Sequence, residues 1–221
     1  EKGYAERNPE ADVEGYDACR KIAILTSLVC GKQVDFEDIY TEGITKITGA
    51  EIKYAKALGG TIKLLGKSIF KDGTVYSMVS PFIIGDEHPL FNVSGVFNGI
   101  FINGNMLGDT MFYGKGAGKL PTASAVVSDV VDAVKHQGTN IMTIWEEEKV
   151  TLGDFNNFEC RYLVRVKDTN TEEAIKAAFG DVDYVDAGID GEKAFLTKVI
   201  SEGSFNEKAK TLDVIYRLRS E

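Results

Sequence analysis

Phe158-Glu159-Cys160-Arg161-Tyr162-Leu163-Val164-Arg165-Val166 puts an apolar side chain at every second position, the period of a strand with one buried face. Residues 171–179 then switch to helical spacing. Residues 183–189 and 193–200 read as a hairpin around Asp190-Gly191-Glu192, residues 204–212 as a second helix, and 214–218 as a closing strand. The resulting order, β-α-β-β-α-β, is the split β-α-β arrangement.

Just upstream, Glu146-Glu147-Glu148-Lys149 is a charged run and Gly153-Asp154-Phe155-Asn156-Asn157 is loop-like, so a boundary is expected near residue 150. Residues 1–150 would form one domain and 151–221 a second. In the first, a helix is expected from about Gly15 to Cys30, with Ile22, Leu25, Leu28 and Val29 at helical spacing and Gly31 to stop it. Thr48-Gly49-Ala50-Glu51 has capping-box spacing, Ile47 and Ile52 are placed for a hydrophobic staple, and Gly59-Gly60 ends that helix. Residues 61–70 and 74–79 flank Lys71-Asp72-Gly73 as one hairpin, and 97–102 and 106–113 flank Asn103-Gly104-Asn105 as another.

Pro121-Thr122 opens a helix to about His136, whose Val126, Val127, Val130, Val131 and Val134 are expected to face inward. The fold class is therefore α+β. A two-layer α/β sandwich is expected on a mixed or antiparallel sheet, one face covered by the helices starting near Gly15, Thr48 and Pro121. The small βαββαβ domain follows it. Open sheet edges of this kind are commonly closed by a twin subunit, so a homodimer is expected.

The 221 residues are 43% apolar and 27% charged, in the range of a folded globular chain. No apolar stretch approaches the ~18 residues that span a bilayer. A net charge of −9 without a long basic run argues against nucleic acid or an anionic membrane as partner. Three widely spaced cysteines, Cys19, Cys30 and Cys160, suit reduced thiols in the cytoplasm better than a disulfide framework. Two histidines and no Cys-x-x-Cys leave no metal site to expect. His88 and His136 read as structural, Trp145 and the Phe97/Phe101 alternation as core, and Ser124 and Ser128 lack a histidine partner for nucleophilic catalysis.

Two segments are denser in functional groups. The first runs from Glu6 to Lys21 and lays Glu6, Glu10, Asp12 and Glu14 in a loop ahead of a helix bearing Asp17 and Lys21 four positions apart. The structural reading is that acidic residues favour a helix N-terminus and that Asp17 and Lys21 form a solvated pair. The functional reading makes the carboxylates a cup for a cation and the lysine a proton donor beside it. The second segment is Tyr113-Gly114-Lys115-Gly116-Ala117-Gly118-Lys119-Leu120-Pro121-Thr122-Ala123-Ser124, between a strand and a helix. Its glycines suit close approach of a ligand to a helix N-terminus, or simply a tight strand-to-helix turn. It meets neither the G-x-G-x-x-G fingerprint nor the Gly-Lys-Ser/Thr of a P-loop.

With these residues in view, Gly3-Tyr4-Ala5-Glu6-x-x-Pro9-x-x-Asp12-x-x-Gly15-x-Asp17-Ala18-x-x-Lys21 resembles the homoserine dehydrogenase signature. So do His88-Pro89-Leu90, Asn98 and Gly116-Ala117-Gly118-x-x-Pro121-Thr122-Ala123-Ser124-Ala125-Val126-Val127 with Asp129. The resemblance covers roughly residues 3–136, and the domain after 150 resembles the ACT regulatory module of that family. It implies NAD(P)-dependent interconversion of L-aspartate 4-semialdehyde and L-homoserine, on the route to threonine and methionine.

Carried over by motif position, Glu6 would hold the substrate ammonium, with Asp17 and Asp12 in the same pocket. Lys21 would be the catalytic proton donor, and Gly118 a backbone contact to the nicotinamide nucleotide. Members of the family begin with a Rossmann nucleotide domain, whereas this sequence opens at the substrate motif. The expectation is a C-terminal part of the enzyme, its NAD(P) bound mainly by a domain not included, and inactive alone.

In the second domain, Lys167-Asp168-Thr169-Asn170-Thr171-Glu172 lacks the glycine of an ACT effector turn, which leaves an amino-acid effector such as threonine a hypothesis. Two other readings are a non-catalytic amino-acid-sensing or oligomerisation module that keeps the scaffold, and another semialdehyde or imine reductase on the same fold.

Overall fold

The computed structural model describes residues 8–139 and 145–221. Contacts divide the chain into two compact units, a larger one of Pro9–Gly85 with Trp145–Glu221 and a smaller one built on the described residues 86–139.

The larger unit opens with α1 (Glu10–Val13), α2 (Tyr16–Cys30), β1 (Lys32–Gln33), β2 (Tyr40–Thr41), α3 (Gly49–Ala57), β3 (Thr61–Lys71) and β4 (Thr74–Ile84). α2 sits between Gly15 and Gly31, both at positive φ. Its buried face is Cys19, Ala23, Thr26 and Ser27, while Leu28 and Val29 are exposed. The inward stripe is thus small and partly polar because α2 lies close on the sheet: a Cβ on Gly66 of β3 would stand 3.1 Å from Ile22 Cβ.

The capping box forms as expected, with the Glu51 carboxylate accepting from the Thr48 N–H at 2.8 Å and the Thr48 hydroxyl accepting from Ala50. Ile47 packs on the core, but Ile52 is exposed. β3 and β4 pair over their whole lengths around Asp72-Gly73, both at positive φ, the geometry of a tight two-residue hairpin turn. β4 continues through Pro81 to a buried Ile84, beyond the expected end at 79.

The smaller unit holds β5 (Phe97–Gly104), β6 (Gly108–Lys115) and α4 (Lys119–Lys135). Gly104 pairs with Gly108, so the hairpin loop is Asn105-Met106-Leu107 rather than Asn103-Gly104-Asn105, and Gly108 takes the left-handed conformation that closes it. The valines of α4 do not face a core: Val126, Val127, Val130, Val131 and Val134 are exposed, and α4 buries no residue. Trp145 and Phe97 are likewise part-exposed rather than core. Phe97 instead stacks on Tyr113, centroids 4.9 Å apart.

The chain then returns to the larger unit with β7 (Glu146–Lys149), β8 (Glu159–Lys167), α5 (Glu172–Phe179), β9 (Asp183–Val185), β10 (Glu192–Leu196), β11 (Ile200–Ser201), α6 (Glu202–Ala209) and β12 (Val214–Ser220). The charged run at 146–149 is a strand parallel to β1, held by ion pairs from Lys32 to Glu148 and from Lys149 to Asp35. The split β-α-β order appears in the sheet as β12-β8-β10-β9, all neighbours antiparallel, with the two-residue β11 as an addition.

Residue 150 does not separate the compact units. β12 pairs in parallel with β4, which also carries β2 and β3, making one mixed eight-stranded sheet. The core explains the continuity. Tyr54, Ala55 and Ile83 from before residue 150 bury against Leu163, Ala194, Leu196 and Leu218 from after it. A second cluster, Cys19, Ala23, Val34, Ile39 and Val79, seats α2 on the other strands. The chain is accordingly a mixed α/β fold with parallel and antiparallel pairing.

Candidate functional site

The corner between α1 and α2 bears three of the expected site residues. Asp12 stands exposed on α1, Asp17 in the first turn of α2, and Lys21 one turn later. Lys21 Nζ lies 2.6 Å from Asp17 Oδ2, with the two side chains 64% and 46% exposed. Neither is sunk in the core, so the pair is open to a ligand arriving from solvent. Glu6 lies outside the described residues. Gly118 belongs to the smaller unit and the three corner residues to the larger one.

Glycines make the corner. Gly15 turns the chain at φ +81°, and a Cβ there would meet Val79 Cγ1 at 3.0 Å and Thr41 Cγ2 at 3.4 Å. Gly43 presses from the other side, where a Cβ would overlap the Val13 carbonyl oxygen and Glu14 Cα. The Ile44 N–H donates to the Val13 carbonyl at 2.7 Å, and the Cys19 N–H to the Gly15 carbonyl at 2.8 Å. Lower on α2, the hydroxyls of Thr26, Ser68 and Ser77 cluster and tie the helix to β3 and β4. These contacts fix the helix that carries Asp17 and Lys21, whose side chains stay partly exposed.

Beneath the corner is a buried charge network that the strand pattern did not suggest. Glu42 Oε2 accepts from Arg219 Nη1 at 2.7 Å, Arg217 Nη1 at 3.3 Å and the Tyr40 hydroxyl at 3.0 Å. Glu202 accepts from Arg217 Nη2 at 2.9 Å, from Arg219 Nη2 at 3.0 Å and from the Tyr162 hydroxyl at 2.8 Å. Arg219 is 1% exposed and also lies over the stacked rings of Tyr40 and Phe155. Burial alone would raise the Glu42 carboxyl, but Arg217, Arg219 and Tyr40 outweigh it and hold the group below its usual value. Two arginines against two carboxylates balance charge, which makes the burial tolerable.

In the smaller unit the glycine-rich turn leads into α4. Gly118 is the residue before the helix, at φ +116°, with no side chain capping the helix start. The Thr122 hydroxyl donates to the Gly118 carbonyl at 3.0 Å. Gly116 fits against the Asn98 side chain so closely that a Cβ would overlap it. The turn uses a left-handed conformation that glycine adopts readily, and it opens onto a helix start without a side-chain cap. Ser94, Val96, Asn98 and Ala117 line a hollow beside it. Among the described residues no group of three or more His, Cys, Asp or Glu is arranged for a metal ion, and no helix is long and apolar enough to cross a membrane.

The family model for homoserine dehydrogenase matches residues 1–131. Homoserine dehydrogenase of Synechocystis is 49% identical over 136 residues, 60% of this chain and 31% of the relative. That of Helicobacter pylori is 38% identical over 74% of this chain and 39% of the relative. Among solved structures, a homoserine dehydrogenase from Thiobacillus denitrificans superposes over 98% of this chain and 55% of its own, at a TM-score of 0.83 and 28% identity. The Staphylococcus aureus enzyme at pH 6.0 does so at 0.77 and 30%, over 98% of this chain and 56% of its own. The chain thus spans about a third of the length of the curated relatives and a little over half of the solved ones. Motif, fold and match agree, and the chain belongs to the homoserine dehydrogenase family.

Proposed function

We propose that this chain is the substrate-binding and catalytic portion of a homoserine dehydrogenase, an oxidoreductase interconverting L-aspartate 4-semialdehyde and L-homoserine. The observation that supports it best is the Asp17–Lys21 pair, partly solvated on a helix whose corner is locked by Gly15 and Gly43. In the reduction, Lys21 Nζ gives a proton to the aldehyde oxygen as negative charge builds there. Asp17 holds the Lys21 ammonium in one direction, and its second oxygen is left for the substrate. Glu6 takes the substrate ammonium in a charge-assisted hydrogen bond, with Asp12 adding negative charge to the same cup. The amine and the carboxylates thereby act on opposite ends of one small molecule.

NAD(P), when bound, would supply the hydride for this chemistry. The backbone at Gly118 and the start of α4 would hold part of it. The rest is assigned to the portion of the relatives that this chain does not span, so the chain alone is expected to be inactive. A cytoplasmic setting accords with three free cysteines. A homodimer accords with the exposed apolar side chains Ile100, Ile102 and Phe112 of the β5–β6 hairpin, since a two-stranded hairpin alone is marginal in water. The ACT-like strands follow the expected order, but their first loop offers an effector little. Lys193 Nζ donates to the carbonyls of Asp168 and Asn170, and the Asn170 side chain bonds Lys167 and Asp213.

L-Homoserine titrated into the isotopically labelled chain is expected to move backbone amide signals of residues 12–21, and much less in Asp17→Asn. An unresponsive wild-type chain would sink the substrate assignment. Nicotinamide turnover by this chain at ordinary enzyme rates would instead overturn the division of the dinucleotide site. Millimolar L-threonine is expected to give no heat in calorimetry, and saturable binding would restore the effector.

A further inference from the structure

We propose that Glu42 is a positioning residue for the α1–α2 corner: gripped by Arg217 and Arg219 of β12, it fixes the turn that holds Asp12, Asp17 and Lys21 in place. The inference rests on the homoserine reading for what the corner binds, but not for how the corner is held.

The path is short and each step is a contact. Arg219 and Arg217 reach the Glu42 carboxylate from β12. The Glu42 N–H donates to the Val79 carbonyl at 2.8 Å, pinning its backbone to β4. Glu42 is thus held at both its backbone and its side chain. The next residue, Gly43, lies against Val13 and Glu14 with no room for a Cβ. Ile44 then donates its N–H to the Val13 carbonyl at 2.7 Å. One residue earlier, Thr41 Cγ2 borders the space beside Gly15. Residues 41–44 therefore wrap the corner from outside, and the only charged anchor among them is Glu42.

The arrangement is more than added stability. A second clamp joins the same two halves of the sheet: Arg165 of β8 pairs with Glu51 of α3 and, at 2.6 Å, with Glu192. That clamp is the more buried of the two and lies on α3, whereas the Glu42 clamp leads into Gly43 and Ile44, which touch α1. The two carboxylates give a matched comparison. Both anchor the early part of the chain to an arginine of the late part, but Glu51 also closes the α3 capping box, while Glu42 leads into the turn against the corner.

The experiment compares the labelled wild-type chain with Glu42→Gln, Glu42→Asp and Glu51→Gln. The readouts are amide exchange at Ile44, amide shifts at residues 12–21, and L-homoserine affinity by titration. Glu42→Gln is expected to speed Ile44 exchange and to shift the corner amides. It should also weaken L-homoserine about tenfold, with Glu42→Asp recovering part of each effect. Glu51→Gln is expected to lower the melting temperature while leaving the corner signals unmoved. Should Glu42→Gln fail to fold, the charge-balanced Glu42→Gln/Arg217→Gln chain, which leaves Arg219 on Glu202, takes its place. Unmoved corner amides in a folded Glu42 variant, or equal movement in Glu51→Gln, overturn the proposal. If corner amides respond to Glu42→Gln while wild type ignores L-homoserine, the positioning role holds and the substrate reading falls.

Discussion

Asp17 and Lys21 face each other across one turn of α2, Oδ2 to Nζ at 2.6 Å, and yet both side chains remain about half in water. An ion pair so exposed stabilises a helix by only about 0.3–0.5 kcal/mol. Stability alone therefore depends little on the pair. Asp17→Asn is expected to change the unfolding free energy by less than about 0.5 kcal/mol and the midpoint temperature by no more than about 2 °C. The same substitution should remove most of the response to L-homoserine. Thermal melts and ligand titration on one sample separate the two effects, and a large drop in stability would assign the pair a structural role.

Gly43→Ala should be among the costliest small substitutions in the chain. Its new methyl would overlap the backbone of Val13 and Glu14, which cannot move aside as a side-chain tip can. A loss of about 3 kcal/mol in urea unfolding is expected. Gly31→Ala serves for contrast: nothing lies within 4 Å of its Cβ position, so only the left-handed backbone, at φ +65°, resists the change. Its cost should be nearer ~1 kcal/mol.

Acid should weaken the fold through two carboxylates. Burial opposes ionisation of Glu42 and Glu51, but arginines at the first, and the Thr48 groups with Arg165 at the second, hold both below their usual 4.5. A carboxyl with a depressed folded value contributes stability above the unfolded value and loses it as pH falls. Unfolding free energy should therefore decline on acidification below about pH 4.5. The decline should be shallower in Glu42→Gln, whose side chain does not titrate. At the other end, burial pushes Tyr54 and Tyr216 up to about 12, so the unfolded chain releases those protons first and stability falls above about pH 10. Denaturation series at stepped pH would test both limbs.

Tyr216 also offers a stabilising change. Its hydroxyl is buried and has no hydrogen-bond partner among the described residues. A polar group buried without a partner costs about 1–3 kcal/mol. Tyr216→Phe keeps the ring and deletes the orphan oxygen, so stability should rise by about 1 kcal/mol. A fall would mean that the hydroxyl is hydrogen-bonded in solution.

Local signals proved readable where each element decides its own shape. The capping box at Thr48 and Glu51 and the turn at Asp72-Gly73 need no distant partner, and both appear. The strand read through 158–166 also forms, but as an inner strand it buries both faces from Tyr162 to Val166, Leu163 and Arg165 included, rather than one. The Asp17–Lys21 contact follows from helical spacing alone. What could not be read depended on what lies opposite. The α4 valines have the periodicity of a buried face but are exposed, with none of them buried among the described residues. On α2, the close approach at Gly66 favours Ala23 and Ser27 over the larger Leu28 and Val29. Glu146–Lys149 read only as a charged run, because its strand is fully exposed and its pairing with β1 rests on partners far away in sequence.

The same blindness hid the Glu42 anchor. Arg217 and Arg219 stand on alternate positions of a strand, a pattern that normally means solvent, and their partner lies far away in sequence. Gly43, just after Glu42, is crowded in the structure, but no reading of the sequence marked that contact. Glu6, the remaining member of the expected cup, lies outside the described residues.

The parallel pairing of β12 with β4 has a kinetic corollary. β3 and β4 are neighbours in the chain and can zip from their two-residue turn within microseconds, whereas β12 must close a loop containing nearly everything that follows. Such long-range parallel pairing is slow to form, since loop-closure entropy is lost before any contact rewards it. Refolding should thus populate a species with an early hairpin and an unfinished sheet. Until the late strand arrives, Glu42 has no arginine to grip, and competence to bind ligand should lag behind the recovery of secondary structure.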